Sequence, residues 1–261
     1  MTTVGVYSDE RILKEKEDGH IIIEPFSEKQ LNNCSYNVTL SEYFFREVTP
    51  QYIEKRGKFV ETFLNPWCER HVAQRWQQGE VDVADEENWK KLGLKLGDKY
   101  ISLKPFETIL VATQEFIGGR EHITTMVKGR SSGARSFLSV CGGAGWGDVG
   151  YINRWTLMVT NMSRFSDIIL PVGCSIAQIV FLECGRPRSS YEGKYQSDVD
   201  PNKSVEELLQ VLEEKWSPAM MLPQLYKEYP VEEESDEELP ADKAIFEVQK
   251  HPISTESPPE L

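Results

Sequence analysis

From residue 20 onward the chain is a succession of short apolar runs cut by Gly, Pro and Asn, and this punctuation leaves little room for long helices. His20 to Phe26, Ser35 to Leu40, Tyr100 to Leu103, Thr108 to Ala112, Ile123 to Val127, Phe137 to Val140, Trp155 to Thr160, Asp167 to Leu170 and Ser175 to Leu182 read as strands. Many short strands between turn signals predict an antiparallel sandwich or barrel rather than a βαβ fold. Two helices frame them. Ser8 to Lys16 has helical character, with Ser8 as N-cap and Gly19 as stop. Near the other end, Ser204 and Glu207 form a capping box, and Val205, Leu208, Leu209, Leu212 and Trp216 recur at helical spacing. That stripe must bury against its own domain or a neighbouring subunit.

A length of 261 residues is compatible with one β domain plus appendages. The expected organisation is a main domain over 1–200, interrupted by a polar, Trp-containing insertion at about 51–98. A helical extension over 201–230 and an acidic, disordered tail over 231–261 would follow. The net charge of −13 argues against a nucleic-acid polymer as partner, because such binding needs a basic surface. A small triphosphate needs only a local cationic pocket. No run of apolar residues is long enough to span a bilayer, and Met1-Thr2-Thr3-Val4 does not open a signal peptide, so an intracellular protein is expected, cytoplasmic or nuclear. Cys34, Cys68, Cys141, Cys174 and Cys184 are scattered, without a Cys-x-x-Cys pair, and are expected as buried, reduced thiols. The His-x-Glu and Pro-Cys-x-x-Cys segments of zinc nucleobase deaminases are absent.

Lys128-Gly129-Arg130-Ser131-Ser132-Gly133-Ala134-Arg135 packs guanidinium groups, hydroxyls and glycines into one short stretch. Such a stretch suits phosphate oxygens, although basic Ser/Gly runs are also common in plain surface loops. Here it resembles the Gly-Arg-Ser-Ser-x-Ala-Arg motif of dCTP deaminases and the Pro-Arg-Ser-Gly motif of dUTP diphosphatases. Four more blocks follow that superfamily's order: Cys34 to Leu40, Gly147-Asp148-Val149-Gly150-Tyr151, Gly173 to Phe181, and Tyr191-Glu192-Gly193-Lys194-Tyr195-Gln196. The interval from Arg135 to Asp148 fits the deaminase pattern without a gap.

The resemblance implies a mainly β fold, a distorted jelly roll of the dUTPase-like β-clip type. It also implies a homotrimer with active sites between subunits, a pyrimidine deoxynucleoside triphosphate as ligand, and Mg²⁺ held through triphosphate and water rather than by a protein cage. Carried over residue by residue, Arg130, Ser131, Ser132 and Arg135 would hold phosphates. Lys194 and Gln196 would reach the triphosphate or base, and Tyr195 would cover it. Asp148 would act beside sugar and water, Tyr151 would pack on the deoxyribose, and Ala144 would lie near the pyrimidine.

One position departs. Deamination at C4 needs a carboxylate to activate water and relay a proton, and the deaminase glutamate lies ten residues beyond the Asp148 equivalent, where this chain has Met158. A thioether transfers no proton, and Met158 is expected to fill core space. Trp146 and Trp155 are expected to pack, Cys141 to be a buried small residue, and His122 to be structural. Three functions stay open on these residues: hydrolysis of dUTP to dUMP and pyrophosphate through Asp148; dCTP deamination despite Met158; and a catalytically silent nucleotide sensor or scaffold.

Overall fold

A computed structural model describes residues 5–48, 64–189, 191, 193–195 and 203–229. Gln196, the stretch 49–63 and the tail 231–261 lie outside the described residues. In chain order the elements are α1 (Asp9–Glu17), β1 (Ile21–Glu24), β2 (Leu31–Asn32), β3 (Ser35–Glu47), α2 (Glu69–Arg75), β4 (Trp76–Gln78), β5 (Asp82–Val83), α3 (Trp89–Leu92), β6 (Lys99–Leu103) and β7 (Thr108–Gly119). There follow β8 (Ile123–Gly129), α4 (Ser131–Arg135), β9 (Leu138–Val140), β10 (Trp146–Gly147), β11 (Ile152–Asn161), β12 (Ile168–Pro171), β13 (Ser175–Glu183) and α5 (Val205–Lys215).

The fold is mainly β and jelly-roll-like. A ten-stranded antiparallel sheet runs β10-β8-β13-β3-β7-β11-β9, with β2 and β4 also on β3 and β1 on β7, and a small sheet runs β12-β6-β5. The large sheet curls on itself because β3 changes partners along its length. Tyr36 to Thr39 pair with β13, the register slips between Leu40 and Phe44, and Phe44 to Arg46 pair with β7. A slip of this kind bends a strand and lets it serve two layers. Tyr36, Val38, Leu40 and Phe44 from β3 then meet Ile109, Val111, Ile117, Trp155, Leu157, Ile179 and Phe181 in one buried core.

Two strands run further than their patterns predict. β3 continues to Glu47 and β7 to Gly119, where alternation alone ends at Leu40 and Ala112. In β3 the register moves by two residues between Leu40 and Phe44, which breaks the ladder although Leu40 and Phe44 face the same core. In β7 the polar residues Thr113 and Glu115 are buried, so the second half reads as loop although it is paired on both sides.

Both helices start as their caps predict. The Ser8 hydroxyl accepts from the Arg11 amide, and Ser204 and Glu207 make the reciprocal capping box. The α5 stripe settles on its own chain: Leu208 and Leu212 are buried with Ile22, Phe116 and Ile152. Met221, in the 3-10 turn Pro218–Met221, extends this cover over Phe45, Leu110 and Ala112. The cysteine expectation needs correction. All five are free, but only Cys141 is buried, while Cys34, Cys174 and Cys184 are exposed and Cys68 is intermediate. Cys34, Cys174 and Cys184 sit in turns or at a strand end, where a small polarisable side chain meets water without disturbing the core. Among the described residues no helix is long and apolar enough to cross a membrane.

Candidate active site

β8 carries both halves of the candidate site, one at each end. At its C-terminal end Gly129 pairs with Ala177 of β13, and the chain then turns through extended Arg130 into the single turn of α4. Arg130 donates from its guanidinium to the Ser175 carbonyl at 3.3 Å, which fixes the side chain against β13. Arg130, Ser131 and Ser132 border an open depression of about 750 Å³ whose other polar groups are Asn32, Asn37, Ser139 and Gln178. Ser131 and Ser132 are exposed, and the first amides of a helix lack intrahelical acceptors, so this end offers donors without a competing carboxylate on its lining. Arg135, the last residue of α4, is exposed and lies outside that lining.

Asn32, Asn37 and Gln178 were not legible as site residues. Asn37 and Gln178 lie in two of the recognised blocks but look like ordinary strand polar residues. Register is what unites them: Gln178 sits opposite Asn37 across β13 and β3, the Asn37 amide donates to Asn32 Oδ1 at 3.5 Å, and Ser35 Oγ donates to Gln178 Oε1 at 3.3 Å.

The other end of β8 holds the carboxylate. Trp146 and Gly147 pair with Met126 and Thr125, and the Thr124 and Thr125 hydroxyls donate to the Gly147 carbonyl at 2.8 and 3.3 Å. Only glycine fits at 147, since a Cβ there would lie 2.3 Å from Thr125 Oγ1 and 2.6 Å from the Trp155 ring. The chain then reverses: the Asp148 carbonyl accepts from the Tyr151 amide at 3.0 Å, and Gly150, at φ +95°, donates to the Gly119 carbonyl at 2.8 Å. Asp148 is left exposed on the turn, with no described residue hydrogen-bonded to its carboxylate.

An aromatic group stands beside it. Tyr151 meets Trp155 and Tyr191 edge to face, at ring-centroid distances of 5.2 and 5.6 Å. Burial pushes the Tyr151 hydroxyl well above its ordinary range, with Tyr191 and Tyr195 adding to the effect, so it stays protonated. Burial also raises Tyr191, followed by the negative charge of Asp148. The Tyr195 carbonyl accepts from Asn153, and its hydroxyl accepts from the Gln224 amide at 3.0 Å. Lys194 is ion-paired with Glu228 rather than presented to solvent as a free ammonium. Ala144 is exposed in the loop before β10, its amide tied to the Cys141 carbonyl at 2.7 Å.

Met158 and Trp146 correct two expectations. Met158 is 42% exposed and Trp146 60% exposed, so neither packs in the core of this chain. For Met158 the reason lies in the pleat of β11, where Trp155, Leu157 and Val159 point inward and the residues between them outward. Met158 faces the loop of Ala144, its Cε only 3.0 Å from where a Cβ at Gly142 would stand. Trp155 and Cys141 are buried as expected. Glu183 and Asp167, the first two carboxylates beyond position 158 in the sequence, are engaged elsewhere: Glu183 with Arg11 and Tyr7, Asp167 with Lys104.

Within one chain the two halves do not meet. Asp148 lies just past the level of Thr124 and Arg130 six residues further along, which at about 3.3 Å per residue separates them by roughly 20 Å. The depression gathers Arg130, Ser131 and Ser132, and the hairpin gathers Ala144, Asp148, Tyr151 and Tyr195.

Residues 6–184 match the family described as dCTP deaminase-like. The chain belongs to that family. Curated relatives named "dCTP deaminase, dUMP-forming" include one from Methanococcus aeolicus, 29% identical over 204 residues covering 72% of this chain and 92% of the relative. Another, from Persephonella marina, is 29% identical over 192 residues, covering 73% of this chain and 91% of its own. Among solved structures, the 2'-deoxycytidine 5'-triphosphate deaminase from Agrobacterium tumefaciens matches at 14% identity with a TM-score of 0.45, over 69% of this chain and 49% of that one. The native dUTPase of EIAV matches at 21% identity with a TM-score of 0.29, over 48% of this chain and 93% of that one. The family places the chain among the nucleotide enzymes of the dCTP deaminase/dUTPase superfamily.

Proposed function

We propose that the chain hydrolyses dUTP to dUMP and pyrophosphate in a homotrimer whose sites combine the hairpin of one subunit with the phosphate loop of another. The observation that carries this reading is the pairing of a retained, exposed Asp148 with a methionine at position 158. The relatives' name describes formation of dUMP from dCTP. By atom balance that conversion consumes two waters, one to release ammonia and one to release pyrophosphate. Ammonia release needs a carboxylate near C4, the role the family resemblance assigns to position 158, and a thioether has no proton to exchange. Pyrophosphate release needs a base for water beside the α-phosphorus, and Asp148 is free to be one.

In this reading Asp148 takes a proton from the attacking water while Arg130, Arg135, Ser131 and Ser132 hold the phosphates and the charge that develops on them. Tyr151 supplies a flat, protonated surface for deoxyribose, where a 2′-hydroxyl would collide. Ala144 leaves room for the base, and Tyr195 with Lys194 and Gln196 closes over the ligand. In a site shared between subunits, the exposed Asp148 carboxylate would face a neighbour's hydroxyls and guanidinium groups without a cage of further carboxylates, which suits Mg²⁺ carried on the triphosphate with its own waters. When bound, Mg²⁺ neutralises phosphate charge. Two features support assembly: the roughly 20 Å between Asp148 and Arg130 along β8, and the exposure of Phe137, Met162 and Phe165 around the depression and β11. Deoxynucleoside triphosphates are metabolites of the cell interior, where the reading places the protein.

Purified protein incubated with Mg²⁺ and dUTP or dCTP tests it. Pyrophosphate from dUTP is expected, without ammonia from dCTP, and Asp148→Asn should lower the rate about 100- to 10,000-fold. Nucleotide binding without pyrophosphate would leave a sensor; ammonia from dCTP would make the chain a deaminase.

A further inference from the structure

A second constellation of ionisable groups lies where α1 meets the sheet, built from residues the proposed reaction does not use. Glu15 sits on the inner face of α1, and Gly19, at φ +76°, ends that helix so that the His20 amide returns to the Glu15 carbonyl at 2.8 Å. The His20 carbonyl accepts from the Arg120 amide at 2.7 Å, which ties this turn to the β7–β8 turn. There Glu121 takes φ +60°, a conformation unfavourable for a residue with a Cβ, and delivers His122. The two imidazoles meet edge to face, with centroids 5.1 Å apart.

Their nitrogens converge on one oxygen. Glu15 Oε2 is 2.8 Å from His20 Nδ1 and 3.6 Å from His122 Nε2. The three ligand atoms lie within 4.8 Å of one another. Glu183 Oε2 stands 3.7 Å from the same His122 nitrogen. Glu15 and Glu183 are each only 8% exposed. The Arg11 guanidinium contacts both, at 3.3 Å from Glu15 Oε1 and 2.6 Å from Glu183 Oε2. The Tyr7 hydroxyl also donates to Glu183 at 2.7 Å.

Buried carboxylates require compensating positive charge. Arg11 supplies one positive charge to the two carboxylates. A single divalent cation between Glu15 and the two rings would supply the rest and take a lone pair from each imidazole. Bonds of about 2.0–2.2 Å in a tetrahedral shell set neighbouring ligand atoms roughly 3.3 Å apart, and the two short separations here fall on either side of that spacing. The second oxygen of Glu15 is held by Arg11, which orients a ligating carboxylate as outer-shell partners do in metal sites. Two imidazoles and a carboxylate suit zinc-class transition metals, whereas Mg²⁺ and Ca²⁺ prefer all-oxygen shells.

The geometry points to a structural zinc-class site: Glu15 Oε2, His20 Nδ1 and His122 Nε2 ligate a divalent transition metal, with Glu183 at its side, and clasp α1 to β1 and the β7–β8 turn. The test uses the full chain stripped with a chelator. Zn²⁺ is expected to raise Tm by about 5–10 °C at a hundredfold excess over its Kd, with no comparable rise from Mg²⁺. Co²⁺ is expected to give visible ligand-field bands without a thiolate charge-transfer band, which matters because Cys34, Cys174 and Cys184 are exposed. His20→Gln and His122→Gln should each weaken zinc binding by more than about 100-fold, beyond the usual effect of losing an outer-shell partner. No Tm response and no cobalt bands would overturn the site and leave a hydrogen-bonded ion network; so would a thiolate band, or unchanged binding when both substitutions are combined. If the variants fail to fold, zinc-edge absorption on the wild-type protein decides, with two imidazoles expected and a shell lacking imidazole fatal.

Discussion

In the proposed function a single side chain, Met158, separates hydrolysis of dUTP from deamination of dCTP. Met158 points outward beside the Gly142 loop, so its replacement does not disturb the core. Met158→Glu is therefore expected to fold normally and to release ammonia from dCTP, with Met158→Gln as the control that cannot exchange a proton. Ammonia appearing in both or in neither variant would detach position 158 from the chemistry. Glu115 is a different kind of carboxylate. It is buried in β7, accepts from the amide and hydroxyl of Thr39, and has its pKa raised by burial, which outweighs those bonds and the charge of Arg154. A raised folded-state pKa means that the protonated form is favoured in the fold. Its contribution to stability is full below the ordinary value of 4.5 and is lost as pH rises through the raised value. Urea midpoints of wild type and Glu115→Gln should diverge in favour of the variant over that upward window, and a difference independent of pH would contradict the assignment.

Among the elements, α5 shows how a predicted amphipathic stripe finds its partner. The capping box and the period of its apolar residues specify a helix, but the surface it covers is assembled from Ile22 on β1, Phe116 on β7 and Ile152 on β11. Arg154 completes the seam, stacked over Phe116 and Trp216 at 4.6 and 5.2 Å. Leu212 is fully buried there, so Leu212→Ala should cost about 2–5 kcal/mol in chemical denaturation. A loss below about 1 kcal/mol, nearer the scale of a surface substitution, would mean that the helix is only loosely docked. The same segment continues through Gln224, bonded to Tyr195, and Glu228, paired with Lys194. The covering elements thus also hold residues proposed to close over the nucleotide.

For the whole molecule, the decisive arrangement is the opposition of the two proposed half-sites along β8. If subunits share sites, chains carrying Arg130→Ala and chains carrying Asp148→Asn should each be inactive alone, yet regain pyrophosphate release when co-expressed, because some sites then join an intact loop to an intact hairpin. Mixed assemblies as inactive as their parents would place the whole site within one chain.

The fold class, the two helices with their caps, and five ordered motif blocks were legible in the sequence because local patterns encode them: period-two apolar runs, Ser204 with Glu207, and compact residue clusters such as 130–135. The second half of β7 escaped that reading because Thr113 and Glu115 are polar yet buried, a choice made by partners distant in the chain. Residue type alone puts Met158 in the core, whereas the pleat of β11 turns it outward. Asn37 and Gln178, and likewise Glu15, His20 and His122, become sets only through strand register and the packing of α1. Sequence determines which side chains are available and which local shapes they favour; which of them face one another is decided by long-range pairing and burial, which no local pattern contains.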